Sequence, residues 1–301
     1  MTARQAGRVV AIHGSHFLVE TTAGVFDCVT RGKKGGIACN DQVEIKPTGA
    51  TGAVIEQTLP RTNLLYRSDR FRVKLLAANV DRIFIVTAAV PSPNPDLLNR
   101  CLIAAEAAGI PACIVVNKTD LPETAALLAR LLPYEALGYP LLAEALGYPL
   151  LALAAKQDVT AMLPWLAGKT SILIGASGVG KSTLINRLIP EAEIATREIS
   201  EALDTGKHTT THTRLYHLPN GGNLIDSPGM QEFGLQHLDS AGLQAAFPEF
   251  RPLIGQCRFY NCRHFKEPGC AILAAVATGQ IMAERWRSYV ALLHELDAPK
   301  Y

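Results

Sequence analysis

The sequence carries almost no net charge: 29 Lys and Arg stand against 27 Asp and Glu in 301 residues, a formal +2. That excludes a chain that is basic or acidic throughout. It also lacks any uninterrupted apolar run near the ~18–20 residues that cross a bilayer, so no membrane helix is expected. The opening MTARQAGRVV has no long apolar stretch behind its basic residues, and no secretory leader is expected either. Cysteine is scarce and odd in number, with seven in the chain. Cys28, Cys39, Cys101 and Cys113 are scattered, whereas Cys257, Cys262 and Cys270 crowd together. This suits reduced thiols plus one metal site better than a disulfide framework, and a cytoplasmic protein is expected.

What is present is a globular balance, 48% apolar and 19% charged, with length for about two domains and room for three small ones. The small net charge hides a partition. Residues 1–74 hold 11 basic and 6 acidic side chains, 75–250 hold 11 and 17, and 251–301 hold 7 and 4. Two basic ends flank an acidic centre, which suits separate modules and a polyanionic partner at the ends.

Five short strands separated by turns are expected between residues 7 and 58, a small barrel of OB or SH3-like type. Arg31-Gly-Lys-Lys-Gly-Gly36 is a basic, glycine-rich loop within it, and a solvated loop is its plainer reading. Residues 61–78 read as a basic linker. From Val80 onward, continuous apolar strands (Arg82–Ala88, Ala112–Asn117, Thr170–Gly175, Asn223–Asp226) alternate with helical stretches at Asp96–Ala108 and Lys181–Leu188. That is the pattern of a doubly wound parallel sheet. Residues 271–296 are expected to form one helix. The expected divisions are a barrel over 1–60, the linker over 61–78, an α/β domain over 79–233 and a zinc-binding, helical domain over 234–301. One oddity is EALGYPLLA at 135–143, repeated letter for letter at 144–152. The second copy is expected to supply the strand leading into Ala154, because it abuts that turn. Identical sequence does not forbid the first copy from taking that place, with the surplus looped out after it.

Gly175-Ala176-Ser177-Gly178-Val179-Gly180-Lys181-Ser182-Thr183 fits G-x-x-x-x-G-K-[ST] between a strand and a helix. Glycines let backbone N–H groups curl around phosphate oxygens at a helix N-terminus. Lys181 would reach the β- and γ-phosphates and Ser182 would bind Mg²⁺. Asn117-Lys118-Thr119-Asp120 ends a buried strand. A carboxylate there accepts both N1–H and the exocyclic N–H of guanine, whereas adenine has no N1–H and would leave it unpaired. Asp226-Ser-Pro-Gly229 offers a Mg²⁺-side carboxylate and a glycine N–H for the γ-phosphate. His208-Thr-Thr210-Thr lies between these motifs, with Thr210 the expected hydroxyl closing the Mg²⁺ shell. Ala154-Ala155-Lys156 would meet the guanine carbonyl through backbone N–H. The expected ligands are therefore GTP and GDP.

In a conventional GTPase the phosphate loop comes first. Here 117–120 and 154–156 precede 175–183 and 226–229, so the core reads as circularly permuted. The segment that responds to the γ-phosphate then runs directly into the C-terminal module. That module holds Cys257-x4-Cys262-x-His264-x5-Cys270, four ligands for a closed structural zinc, a redox cluster being the alternative. Arg258, Arg263 and Lys266 interleave with Phe259, Tyr260 and Phe265, which suits RNA stacking as well as ordinary surface and minor core.

Together these features resemble the ribosome small-subunit-dependent GTPase family (RsgA, also called YjeQ). The resemblance spans nearly the whole chain and includes Ala77-Ala-Asn-Val-Asp81, GASGVGKST, GKHTTTH at 206–212 and DSPGMQEFGL. Asn40-Asp41 stands where the family usually has Gly-Asp, and the SAK-like turn begins with Ala154. The resemblance implies an OB-type barrel that touches 16S rRNA, binding to the 30S subunit in late assembly, and GTP hydrolysis stimulated by that subunit. It also supports His208 as the residue that orients water, since Met230 after Gly229 is apolar; Gln231 is the runner-up. A monomer with no DNA or membrane partner is expected. A non-enzymatic rRNA-binding scaffold using GTP as a conformational ligand is the alternative, and a GTPase of tRNA or membrane traffic lacks any anchor in the sequence.

Overall fold

A computed structural model of the chain describes residues 3–31, 36–139, 141–142 (backbone only), 158–190 and 213–298. The first five strands are β1 (Gln5–His13), β2 (His16–Thr21), β3 (Gly24–Thr30), β4 (Gln42–Pro47) and β5 (Gly52–Thr58). They run in the order β1-β2-β3-β5-β4, and β4 pairs back onto β1 to close the barrel. Alternate residues point inward, so Val9, Val19, Phe26, Cys28, Val43 and Ile45 form its core. The β3–β5 pair is parallel and the rest antiparallel, which is the OB-type arrangement. Asn40 adopts φ +68°, a left-handed conformation that glycine takes freely and Asn tolerates. Its amide donates to Ala78 O and Asn79 O, 2.8 and 3.0 Å away, which holds the turn.

Residues 61–78, expected as a linker, instead carry a hairpin, β6 (Leu64–Ser68) and β7 (Val73–Ala78). Asp69 Oδ1 accepts from the N–H groups of Phe71 and Arg72, both at 2.8 Å, and makes the turn. The basic residues that suggested a linker stand along a strand pair. Leu64, Leu65, Tyr66, Val73, Leu75 and Leu76 carried the strand signal, and Arg67, Arg70, Arg72 and Lys74 masked it.

Next come β8 (Arg82–Ala88), β9 (Ala112–Asn117), β10 (Leu141–Leu142), β11 (Thr170–Gly175), β12 (Thr213–His217) and β13 (Asn223–Asp226). The order β10-β9-β8-β11-β13 is parallel throughout; β12 is antiparallel to β13 and pairs on its far side with barrel strand β1. Among the described residues, barrel and α/β sheet are therefore one continuous 11-stranded sheet. Arg8 reinforces the joint, with Nη2 donating to Thr170 Oγ1 at 3.2 Å and Nη1 to Asn223 Oδ1 at 3.3 Å.

Period-two alternation splits the buried strands between two cores. Phe84, Val86, Val115 and Leu173 pack on α4 (Lys181–Leu188), with Leu166 of the short α3 (Leu163–Leu166) beside them. Ile83, Ile85, Ile114 and Ile172 face α1 (Pro95–Ala108), which runs from the Asn94 cap to a left-handed Gly109. The outer side of α1 shares that core with the C-terminal module through Phe247, Phe250, Tyr289 and Leu292.

The duplication resolves in favour of the first copy: Leu141–Leu142 pair with Ile114 and Val115, correcting the expectation that the second copy would do so. The residue before each copy explains the choice. Tyr134 is buried, with its hydroxyl donating to Asn99 Oδ1 at 2.9 Å, whereas Ala143 precedes the second copy and offers neither the ring nor the hydroxyl. The C-terminal module consists of α5 (Ser240–Ala245), the cysteine-rich loop, α6 (Ala271–Ala277) and α7 (Ala283–Asp297). The single helix expected over 271–296 is thus two, broken where Gly279 turns left-handed at φ +77°.

Candidate functional site

Three motif segments converge at the C-terminal ends of parallel strands, where open α/β sheets hold their ligands. Asn117 closes β9, Gly175 closes β11 and Asp226 closes β13. The chain after β11 turns through Gly178 and Gly180 into α4, whose first residue is Lys181. Gly180 has φ +97°, and a Cβ there would lie 2.1 Å from Asn117 Nδ2, so only glycine fits. Asn117 Nδ2 donates to Val179 O at 2.8 Å, which fastens 117–120 to the glycine-rich turn. Lys118, itself left-handed at φ +62°, donates through Nζ to Gly178 O and Val90 O, both at 2.8 Å. Gly229 approaches the same turn from the other side, where a Cβ would come within 3.0 Å of Ser177 Cα.

Lys181 Nζ is buried and donates to Gly175 O and Ala176 O at 2.9 Å each. Burial lowers its pKa, and the Asp226 carboxylate works against that. Burial likewise pushes the Asp226 carboxyl up to about 7, countered by Lys181 and by a backbone hydrogen bond from Ser227. The pair forms a partly dehydrated charge couple beneath the turn; a phosphate beside Lys181 would favour its ammonium, and a metal ion beside Asp226 would favour its carboxylate. Ser227 Oγ donates to Leu173 O at 2.7 Å and holds the strand end that carries Asp226. Ser182, Thr183, Ser177 and Asp120 are exposed around this centre, with Thr119 partly so. Met230 turns inward and is buried, its N–H donating to Gly175 O at 3.2 Å, while Gln231 faces solvent. Ala154, Ala155, Lys156, His208 and Thr210 lie outside the described residues. Thr124, buried just beyond residues 117–120, went unnoticed in the sequence, where it is one threonine at the start of an ordinary helix.

The second cluster lies in the C-terminal module. Cys257 Sγ, Cys262 Sγ, a nitrogen of His264 and Cys270 Sγ all lie within 4.8 Å of one another. Cys257 Sγ and Cys270 Sγ are 3.9 Å apart, and His264 Nδ1 is 3.5 and 3.4 Å from them. A tetrahedral ion with Zn–S of about 2.3 Å and Zn–N of about 2.05 Å requires S···S edges of about 3.8 Å and S···N edges of about 3.6 Å. The donor set fits a zinc ion in type and spacing. The imidazole is oriented by its own backbone: Trp286 Nε1 donates to His264 O at 2.9 Å, and Tyr289 OH donates to Arg263 O at 2.9 Å.

A glycine-rich turn with its lysine, a base-side N-K-x-D and a D-x-x-G on one parallel sheet, with the N-K-x-D strand first in the chain, define a circularly permuted P-loop GTPase fold. Solved structures agree: the chain superposes on YjeQ from Thermotoga maritima with a TM-score of 0.72 and 29% identity, covering 99% of this chain and 100% of that one. It matches YloQ, described as a circularly permuted GTPase, with a TM-score of 0.68 and 27% identity, covering 99% and 98%. The family model described as RsgA GTPase matches residues 58–236. A Nitrosomonas europaea protein named Small ribosomal subunit biogenesis GTPase RsgA is 50% identical over 295 residues, 96% of this chain and 91% of that one. A Burkholderia pseudomallei protein of the same name is 52% identical over 297 residues, covering 97% and 92%. The chain belongs to the RsgA GTPase family and is a GTP hydrolase. That membership sets aside the non-enzymatic scaffold. Among the described residues no helix is long and apolar enough to cross a membrane.

Proposed function

We propose that this GTPase acts in maturation of the small ribosomal subunit, binding the 30S particle through 16S rRNA and hydrolysing GTP to GDP and phosphate when the particle stimulates it. The observation that carries this reading is that the GTPase core bears two basic projections with exposed aromatic rings. Phe71 is 86% exposed at the hairpin tip among Arg67, Arg70, Arg72 and Lys74. Tyr260 is fully exposed on the cysteine-rich loop, where Arg258 lies over the Phe259 ring at 5.5 Å. Exposed rings among cations suit stacking on unpaired bases together with phosphate contact. The names carried by the relatives support the same partner.

In this reading Gly175–Gly180 wrap the phosphates, Lys181 contacts the β- and γ-phosphates, and Asn117, Lys118, Thr119 and Asp120 hold guanine with help from Ala154, Ala155 and Lys156. Ser182, Thr183 and the Gly229 N–H complete the phosphate shell. Ser182, Asp226 and Thr210 would hold Mg²⁺, which neutralises charge between the phosphates when bound. Cys257, Cys262, His264 and Cys270 would hold one structural zinc. His208 orients the attacking water when the subunit is bound, since buried Met230 cannot. The working units are a barrel over 1–60, the hairpin-bearing 61–78, the GTPase domain over 79–233 and the zinc-binding module over 234–301, in a monomeric cytoplasmic protein. Co-sedimentation with 30S particles in GDP and in a non-hydrolysable GTP analogue, alongside phosphate release with and without particles, tests the reading. Nucleotide-dependent binding and faster release support it; equal release in both conditions refutes stimulation by the subunit.

A further inference from the structure

We propose that Thr124 is a positioning residue that sets the bite of the Asp120 carboxylate on the guanine edge; the inference rests on reading 117–120 as the base-recognising loop. The chain leaves β9 at Asn117 and enters Lys118 in a left-handed conformation, φ +62°. A residue with a side chain holds that conformation only where its surroundings enforce it. The Lys118 ammonium is fixed by Gly178 O and Val90 O. Its carbonyl is fixed from the other side by two donors, Leu121 N at 3.0 Å and Thr124 Oγ1 at 3.1 Å. The Thr124 N–H in turn donates to Leu121 O at 3.1 Å. These bonds close a ring from 118 to 124, with Thr119 and exposed Asp120 at its outer edge and Thr124, 3% exposed, as its inner clasp at the start of α2 (Thr124–Leu131).

The chemistry of the guanine edge makes that clasp matter. N1–H and the exocyclic N–H lie side by side, and a carboxylate pairs with both only when it is coplanar with the ring. A small rotation of the turn keeps one hydrogen bond and breaks the other. Hypoxanthine has the N1–H but no exocyclic amine, so it uses one bond whatever the rotation. Thr124 therefore acts on the difference between guanine and hypoxanthine rather than on phosphate binding.

The test is calorimetric titration of the full-length protein with GDP and with IDP. Thr124→Val, isosteric but without the hydroxyl, should weaken GDP by about ten-fold, the loss of one hydrogen bond to a charged group, and IDP by no more than about two-fold. Thr124→Ser keeps the donor and should restore GDP binding. IDP binding itself reports that each variant is folded. Equal weakening of both nucleotides, an unchanged GDP affinity in Thr124→Val, or a Thr124→Ser variant as weak as the valine overturns the proposal. Asp120→Asn separates this from failure of the base-loop reading. Its amide should lose GDP and favour XDP, whose 2-oxo group accepts a hydrogen bond. If Asp120→Asn behaves so while Thr124→Val does not, only the role of Thr124 falls. If Asp120→Asn binds GDP normally, the base-loop reading falls and takes the Thr124 proposal with it.

Discussion

Replacing Gly180 with alanine tests how the 117–120 segment and the glycine-rich turn are joined. The added methyl would sit 2.1 Å from Asn117 Nδ2 and 3.4 Å from its Cγ, on a backbone at φ +97°. Holding an L-residue there costs about 1–2 kcal/mol. Pushing Asn117 aside breaks its 2.8 Å hydrogen bond to Val179 O and strands a buried carbonyl, a further ~1–3 kcal/mol. The sum, about 2–5 kcal/mol, corresponds to nucleotide binding at least ~30-fold weaker at 1.4 kcal/mol per decade. Titration of Gly180→Ala, Asn117→Ala and the double variant with GDP measures it. Asn117→Ala already forfeits the hydrogen bond and makes room for the methyl, so adding Gly180→Ala should cost only the backbone share, about ten-fold. If the two losses simply add, the glycine is not there to admit Asn117, and the coupling between the loops described above is wrong.

The docking of the C-terminal module gives a second prediction. Arg285 is wholly buried, with Nε and Nη2 on Glu249 at 2.7 and 3.1 Å and Nη1 on Asn99 Oδ1 at 3.3 Å. Glu249→Ala should cost about 3–5 kcal/mol in denaturant unfolding by leaving a buried cation unpaired, and Glu249→Leu with Arg285→Met should recover most of that; a loss below about 1 kcal/mol contradicts the geometry. Chelation should strip one metal ion and make three of the seven thiols reactive. Burial pushes the thiols of Cys28, Cys39, Cys101 and Cys113 up and keeps them slow, so release of all seven together counts against a closed site. Burial also lowers the His237 pKa below its ordinary 6.5. The unfolded chain then binds the extra proton first, so this group costs the fold stability as pH drops through 6.5. His237→Gln should flatten that part of a urea-midpoint profile, and an unchanged slope argues against it. Deleting residues 144–152 leaves Tyr134, Tyr139 and Leu141–Leu142 in place and should shift stability by less than about 1 kcal/mol; a collapse in melting temperature would mean that the surplus copy is structural.

Much of this was legible in the sequence because the decisive residues obey local rules. Apolar runs at 82–88, 112–117 and 170–175 announce strands buried on both faces, and the glycine pattern at 175–180 is demanded by backbone geometry alone. The cluster of Cys257, Cys262, His264 and Cys270 showed itself by spacing. The hairpin did not, because its stability comes partly from pairing outside itself: Ser68 N donates to Gly234 O, and Gln236 N to Ser68 O, at 3.0 and 3.2 Å. The break at Gly279 was hidden by apolar periodicity that continues on both sides of it. The choice between identical copies was decided by Tyr134, whose partner Asn99 lies 35 residues away. Thr124 was invisible for a similar reason, since its hydroxyl bonds the carbonyl of Lys118, six residues back, whose left-handed backbone the sequence does not announce.

The shared sheet also fixes an order of assembly during synthesis. The barrel strands all lie within the first 58 residues, so the barrel can close while most of the chain is still unmade. The α/β sheet grows outward from β8 and β9, but β11 must wait for residue 170 and β13 for residue 223. Strand β12, which joins the sheet to the barrel, is made some two hundred residues after its partner β1. Permutation therefore places residues 117–120 early and the carboxylate of Asp226 late. The segments that would hold nucleotide in the proposed reading are not all made until residue 229 has emerged, by which point every barrel strand is long complete. Cys257, Cys262, His264 and Cys270 come later still, so the module that closes over α1 is the last to set.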